Sequence, residues 1–546
     1  MMKLRTSAFV ACLIGMVLAV ACDDDTKEPS GEGKGGTSST GGTPGAVTGG
    51  ANALPSGGSG VATSDGSTGL GSGGTTGTVV MSGAGNTSAP PLGFAGSSGL
   101  DTSAGGASTG GTNSTAPGCN IYDATRPVQN VPTDANGNLT PPTGATELTL
   151  TNDKTWKLNG KVWVPAGVTL NIQPCTLVVA SPKPNAGSLL IMRGAKIKAD
   201  GTASHPIVFS SESFKFNSAT PWGGVVLFGK APIGAGDASA TTPERLFEGL
   251  TDPRATYGGA DVADSSGSLS YVRIEYGGDV IASTKEINGL TFGGVGTGTS
   301  VHHIMVKRTM DDCFEWFGGT VNAHHLICEN PGDDMFDTDE KYRGSLQFLF
   351  GRLNKWGTSS DPSGFEWDGN QVYEAASERS IPHAANATLC GFNAEGSATT
   401  YGAVLRRGLQ AGTSIQNTII TGFDTGVDTR DAVGTTEAPL ISWTSSLFFG
   451  QRLNVTGNPN DDNTKDGGFD EVAWVAAAAN GNGTTAPAGF DCYATPPAPF
   501  PTVAVPGADV TTIAGATFAT APYVGAFKDA TDNWATGAWV DWAAGD

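Results

Sequence analysis

The chain has 546 residues, and its 52 acidic side chains against 31 lysines and arginines give a formal net charge of −21. Nucleic acid and anionic lipid surfaces both require cationic partners, so this balance excludes nucleic acid as a ligand. The length suits two or three average domains, but an internal repeat takes precedence over length.

The chain opens on a basic start (Lys3, Arg5), an apolar run from Ala8 to Ala21, and small residues leading into Cys22. That is the pattern of a secretory signal, and the run is too short to span a bilayer as a stable helix. "LAVAC" resembles the lipobox of bacterial lipoproteins, in which the cysteine becomes the lipidated N-terminus, although Ala19 stands where Leu is usual. The resemblance implies a lipoprotein signal peptide over 1–21, lipid on Cys22, and attachment to a membrane through that lipid. The expected location is the cell envelope, on the outer membrane and exposed at the surface.

Residues 22–118 are almost wholly Gly, Ser, Thr and Ala, as in "GGTSSTGGTPGAVTGG". They hold too few large apolar side chains to offset the entropy of ordering, so a disordered tether is expected. A flexible coil of roughly 95 residues has an end-to-end distance on the order of 55 Å.

With Cys12 removed in the signal and Cys22 lipidated, Cys119, Cys175, Cys313, Cys328, Cys390 and Cys492 remain. An even set in an exported protein is compatible with three disulfides, and six cysteines leave the pairing open; Cys313 and Cys328 are nearest in sequence.

From 119 to 546 the chain reads as short β-type runs bounded by Gly, Asn, Asp or Pro: "KVWVPAGVTLNI", "SLLIMRGAKIKA", "LSYVRIEYGG", "SVHHIMV", "SLQFLFG", "SIQNTIITG". No long amphipathic helix interrupts them, which predicts an all-β protein. The architecture follows from a repeat. "VHHIMVKRTMDDCFE" from Val301 returns as "AHHLICENPGDDMFD" from Ala323, so His302, His303, Asp311, Asp312 and Phe314 recur 22 residues later. That period fits one coil of a parallel β-helix with three strands and three turns. A third coil, "GTSIQNTIITGFDTGVD", puts Asp424 and Asp428 near the places of Asp311 and Glu315. Val301, Ile304 and Val306 are expected to face the core, with Leu326 and Cys328 stacked on the latter two.

"GSLLIMRGAKIKADGTASHPIVFSS", "WGGVVLFGKAPI", "EINGLTFGGVGTGTSVHHIMV", "DDCFEWFGGTVNAHHL", "GDDMFDTDEKYRG" and the closing "YVGAFKDATDNW" carry a further likeness. Over roughly 148–542 the chain resembles a family of secreted bacterial right-handed parallel β-helix proteins, mostly lipoproteins or cell-surface proteins without assigned activity. The resemblance implies fold and compartment and supplies no reaction.

The chemistry-bearing residues concentrate in the repeat. Asp311, Asp312, Glu315, Asp333, Asp334 and Asp337 stack on two coils, with Glu366 and Asp368 of "GFEWDGN" on a later one. Stacked carboxylates repel unless a cation or donors neutralise them, and oxygen ligands in this number suit Ca2+. β-helix polysaccharide lyases use such a Ca2+ to bind a uronate carboxylate while an Arg or Lys removes the neighbouring proton; Arg343, Lys341, Arg308 and Lys307 are the candidates here. A hydrolase would instead use Asp312 and Asp334 as acid and base. Turn chemistry by itself accounts for one Asp per coil, because Asp side chains accept backbone N–H groups in turns.

Stacked His303 and His325 can share a transition metal, although repetition alone stacks identical side chains. Asp261 with Asp264, and Asp461 with Asp462 and Asp466, form two acidic loops that could each bind Ca2+ and are read as solvated. Trp316, Trp356, Trp367 and Tyr342 lie near the acidic stretch as candidates for sugar stacking or packing. The 500–546 region, with Trp534, Trp539 and Trp542, is read as the cap of an open solenoid end. HExxH, CxxC, P-loop and GxSxG patterns are absent, which removes zincin, redox, nucleotide and α/β-hydrolase readings.

The function that follows is a lipid-anchored cell-surface β-helix acting as a binding or structural module toward polysaccharide, with Ca2+ at its acidic turns. The alternative is a Ca2+-dependent polysaccharide lyase or a glycoside hydrolase using stacked carboxylates.

Overall fold

A coil of 22 residues must change direction three times, and the chain does so at residues with a left-handed backbone. In the coil that begins at Ser300 these are His303 (φ 54°), Arg308 (φ 56°) and Gly318 (φ 64°); in the next they are His325 (56°), Asn330 (56°) and Glu340 (52°). Between these corners lie three short runs, each in parallel register with its counterparts on adjacent coils. Ser300–His302 pairs with Ser268–Ser270, Ile304–Lys307 with Val272–Glu275 and Leu326–Glu329, and Phe314–Phe317 with Leu290–Gly293 and Phe336–Asp339. The result is a parallel β-helix with three faces. The first two share a 16-stranded sheet and the third is a nine-stranded sheet. The structure, a computed structural model, describes residues 118–214, 222–234, 243–282, 285–353, 359, 361–369, 376–392, 399–430, 440–451 and 468–542. The signal segment, Cys22, the tether to residue 117, Trp356 and the loop with Asp461, Asp462 and Asp466 lie outside the described residues.

Alternation along each strand decides what is buried. Val301, Ile304 and Val306 point inward, and Ile304 and Val306 stand in register with Leu326 and Cys328, as the repeat predicts. On the third face Phe314 and Trp316 point inward with Phe336, Phe365 and Trp367 in the same core. Their rings stack along the axis, Phe292 on Trp316 at 5.5 Å and Phe314 on Phe336 at 5.4 Å. The six cysteines form three disulfides, Cys119–Cys175, Cys313–Cys328 and Cys390–Cys492.

Both open ends are covered. At the first, Leu139 N–H donates to the Trp163 carbonyl and Trp163 N–H to the Gly137 carbonyl. At the last, Ser445 and Phe448 donate to the carbonyls of Asn480 and Gly483, and Trp474 of the short helix Glu471–Val475 stands edge-on to Trp443. The segment with Trp534, Trp539 and Trp542, expected at this end, lies along the outside of the second face instead. That face turns Met305, Ile327 and Phe350 outward, an apolar stripe that needs a cover, and Phe527 and Trp539 cluster with them. The segment is tied down by the first corner column. Asn386 Nδ2 donates to the carbonyls of Ala521 and Tyr523, and Asn417 Nδ2 to those of Ala508 and Ala521.

Asn417 occupies a left-handed corner (φ 54°), is fully buried, and also accepts from Ala508 N–H. Asn417→Ala is expected to lower unfolding free energy by about 3 kcal/mol, from unpaired buried carbonyls plus a strained alanine. Asn417→Gly, which relieves only the backbone part, should lose less. Denaturant unfolding of the two variants checks both the size and the order.

Candidate functional site

The third face changes character along its length. One outward row, read across the pairings, runs Trp163, Leu190, Val226, Thr291, Glu315, Asp337, Glu366. Its apolar half is covered by an excursion of the chain whose Phe247, Leu250 and Tyr257 pack with Leu190 and Val226. From Glu315 to Glu366 the row is acidic; Val404 interrupts it on the next coil and Asp428 follows. The neighbouring outward row supplies Asp339, and Asp368 follows it on the next coil, where Asp368 N–H donates to the Thr338 carbonyl.

The turn that leads into this face carries its own ladder. Asn288 Oδ1 accepts from Asp312 N–H at 3.2 Å, Asp312 Oδ1 from Asp334 N–H at 2.8 Å, and Asp334 Oδ1 from Ser363 N–H and Oγ. Asp312 and Asp334 therefore each do the turn work expected of one Asp per coil. Asp311 and Asp333 are the extra pair. Carboxylate oxygens of Asp311, Asp312 and Asp333 come within 4.8 Å of one another, and so do those of Asp312, Glu315 and Asp337. Asp312 belongs to both groups. Asn288 Nδ2 donates to Glu315 Oε2, while the buried Oδ1 of Asp337 has no hydrogen-bond partner among the described residues. The six carboxylates singled out from sequence are thus brought together, and Glu366 and Asp368 join them.

Burial and mutual repulsion set the protonation of this cluster. Burial first, then Asp311, Asp337 and Asp333, hold Asp312 well above the usual carboxylate range. Burial and Asp333 do the same to Asp311 and Asp334, burial and Asp312 to Glu315, and burial and Glu315 to Asp337. Asp333 is pushed up to about 7 by burial and Glu366. Glu366 goes the other way: against burial, the Arg406 guanidinium brings it down to about 2.

The cations near these rows differ from those expected. Arg406 pairs with Glu366, Arg430 with Asp428 (2.8 Å) and Asp361 (3.1 Å), and Arg245 with Glu340. The sequence signal for Arg406 was the strand "GAVLRRG", whose register on Glu366 needed the intervening chain length to be known. Of the expected bases, Arg343 turns its guanidinium to the carbonyls of Arg379 and Ser377, Lys341 pairs with Glu378, and Lys307 pairs with Asp541 under the C-terminal segment. Arg308 sits at the second corner. Of the two roles open to Trp316, Trp367 and Tyr342, packing holds: all three are fully buried in the interior. In the Asp261–Asp264 loop, Asp261 accepts from Ala263 N–H and Asp264 is buried.

The histidines form a separate group on the first face, where His303 and His325 stack at 4.4 Å. Burial holds them neutral, pushing His303 down to about 3 and His324 to about 4.

Residues 143–493 match a family model described as a pectate-lyase-like β-helix domain. No curated protein and no solved structure matches the chain.

A carboxyl whose folded pKa is raised holds a proton that the unfolded chain releases. Its contribution to stability is therefore present below about pH 4 and lost as pH rises through the folded value. For Asp333 that window closes at about 7. Asp333→Asn is expected to raise the melting temperature at about pH 8 and to change it little at about pH 4. Thermal unfolding in chelator-containing buffer tests this, and a difference that does not grow with pH counts against charge repulsion in the cluster.

Proposed function

The chain belongs to the pectate-lyase-like β-helix family, and from that premise we propose that it is a lipid-anchored cell-surface module that binds acidic polysaccharide through Ca2+ on its third face. The observation that carries the reading is where the arginine pairing stops. Glu366 and Asp428 in the outward row have arginine partners, whereas no ion pair reaches Glu315, Asp337, Asp311 or Asp312 among the described residues. These buried and half-buried carboxylates offer only hard oxygen donors, one of them orphaned, which fits Ca2+ better than a transition metal. Asp311, Asp312 and Asp333, or Asp312, Glu315 and Asp337, would hold the ion. Bound there, Ca2+ neutralises the row and attracts a uronate carboxylate. The rows run along the axis, so a linear polymer can lie across several coils. Three disulfides suit an oxidising compartment outside the cytosol, in keeping with the signal and Cys22.

Binding is favoured over elimination because a proton-abstracting arginine needs its neutral form within reach. Arg406 and Arg430 are each held in ion pairs, and the Asp428 carboxylate, against the effect of burial, raises Arg430 further. A second reading has one specific support. Burial raises Glu315 and Asp337 while Arg406 lowers Glu366 in the same row, and a raised carboxyl beside a lowered one is the pairing that glycoside hydrolysis uses.

The test is retention of the intact chain on a panel of uronate-containing and neutral polysaccharides, with Ca2+ and with chelator, while unsaturated and reducing ends are assayed. The expected result is Ca2+-dependent retention on uronate polymers, weakened at least about tenfold in Glu315→Gln/Asp337→Asn, with no new ends. Retention indifferent to chelator removes the Ca2+ reading. Unsaturated ends establish elimination, and reducing ends lost in Glu315→Gln establish hydrolysis.

A further inference from the structure

The first face carries a two-by-two block of histidines on successive coils. His302 and His324 are register partners, and His303 and His325 follow them at the left-handed corner. The rings of His302 and His324 stack at 5.1 Å and those of His303 and His325 at 4.4 Å. Within each coil the two Nδ1 atoms face one another, at 2.9 Å for His302 and His303 and at 2.7 Å for His324 and His325. Ring nitrogens of His303, His324 and His325 come within 4.8 Å of one another.

Repetition of the coil does not account for this block. At the same register the outward column reads Ser270, His302, His324, Gln347, Ala385, Gln416. The corner column beside it reads Tyr271, His303, His325, Phe348, Asn386, Asn417, all left-handed. The fold accepts Ser, Gln and Ala in one column and Tyr, Phe and Asn in the other. Even so, four of the chain's six histidines meet at a single crossing of the two.

The block is also enclosed. Tyr271 stacks on His303 at 4.5 Å, and Phe348 lies against His325 at 4.5 Å from the opposite side. Trp539 stands edge-on to His303 at 5.6 Å and Trp534 to His325 at 4.9 Å, both from the C-terminal segment. The carboxylate of this neighbourhood, Asp200, is engaged by Ser268 Oγ at 2.7 Å.

We propose that His302, His303, His324 and His325 form a binding site for a late first-row transition metal ion, Zn2+, Ni2+ or Cu2+, held by imidazole nitrogens beneath the two tryptophans. Imidazole donors select this part of the series, whereas Ca2+ takes oxygen ligands, so the site is chemically distinct from the acidic rows of the third face. In each facing pair one Nδ1 donates its proton and the other offers a lone pair. A tautomer shift that carries the proton to Nε2 frees both Nδ1 atoms of a pair for the metal.

The experiment uses the intact, tag-free chain, stripped with chelator and titrated calorimetrically with Zn2+, Ni2+ or Cu2+ alone. One ion per chain is expected, unaffected by excess Ca2+. Two double variants keep the fold because they install residues the same columns already carry: His303→Asn/His325→Asn, as at Asn386 and Asn417, and His302→Gln/His324→Gln, as at Gln347 and Gln416. The corner pair should weaken binding at least about 100-fold, more than the usual effect of losing an outer partner of a ligand. Cu2+ should quench tryptophan fluorescence, and Trp534→Phe/Trp539→Phe should remove most of that quenching while leaving the stoichiometry intact. The proposal is overturned if none of the three ions binds stoichiometrically, if both histidine double variants retain full affinity while circular dichroism shows them folded, or if His205→Gln/His383→Gln loses as much.

Discussion

Backbone hydrogen bonds between successive coils hold equivalent residues one strand spacing apart, about 4.8 Å, and the rest of the molecule follows from that spacing. It is favourable for apolar side chains, whose contacts add along the axis, as for Phe314 on Phe336 and Ile304 on Leu326. For carboxylates the same spacing is costly, since each coil that repeats an acid brings like charges together. The chain resolves this conflict differently in different rows. On the second face Glu329 meets Arg352 in a two-point pair, 2.6 and 2.9 Å, and Glu275 meets Arg273 at 2.6 Å, so charge buried under the C-terminal segment is matched. On the third face the matching ends at Glu366 and Arg406. Beyond them, burial and neighbouring carboxylates raise the acids instead.

The outer surfaces of the three faces are therefore unlike one another, although one set of backbone bonds builds them all. The second face turns out an apolar stripe and is lidded by the C-terminal segment. The third is lidded over its first coils by the excursion around Phe247 and Tyr257 and left acidic over its later ones. The first carries the histidine block at the corner where the C-terminal tryptophans pass. Repeated columns change residue type at particular coils, and the cover differs from place to place: the C-terminal tryptophans lie over the histidines, whereas no ion pair reaches Glu315 or Asp337 among the described residues. The switch from Thr291 to Glu315 and the switch from Ser270 to His302 are two such places.

Much of this was legible from residues alone. The 22-residue return of His302, Asp311 and Phe314 measured the coil, and alternation around Ile304 and Val306 assigned the core, because register and pleat are local and periodic. Stacking of Asp312 on Asp334 and of Glu315 on Asp337 followed from the same period. The partners of those carboxylates did not follow. Arg406 reaches Glu366 across 40 residues of uneven coil length, and Arg343, nearer in sequence, turns to the carbonyls of Arg379 and Ser377. Trp316 and Trp367 read equally as sugar platforms or core until the pleat of their strands put them inside.

The sequence by itself determined the stack: an all-β solenoid, its coil length, its inward rows and the coils on which acids and histidines repeat. Those are consequences of period, and a period survives translation along the chain. Tertiary structure alone decided which disulfides close, where the C-terminal tryptophans lie and which arginines meet which acids. Each of these depends on segments of irregular length folding back over a face. Nothing local in the sequence measures how far such a segment travels before a buried asparagine, such as Asn386 or Asn417, ties it down.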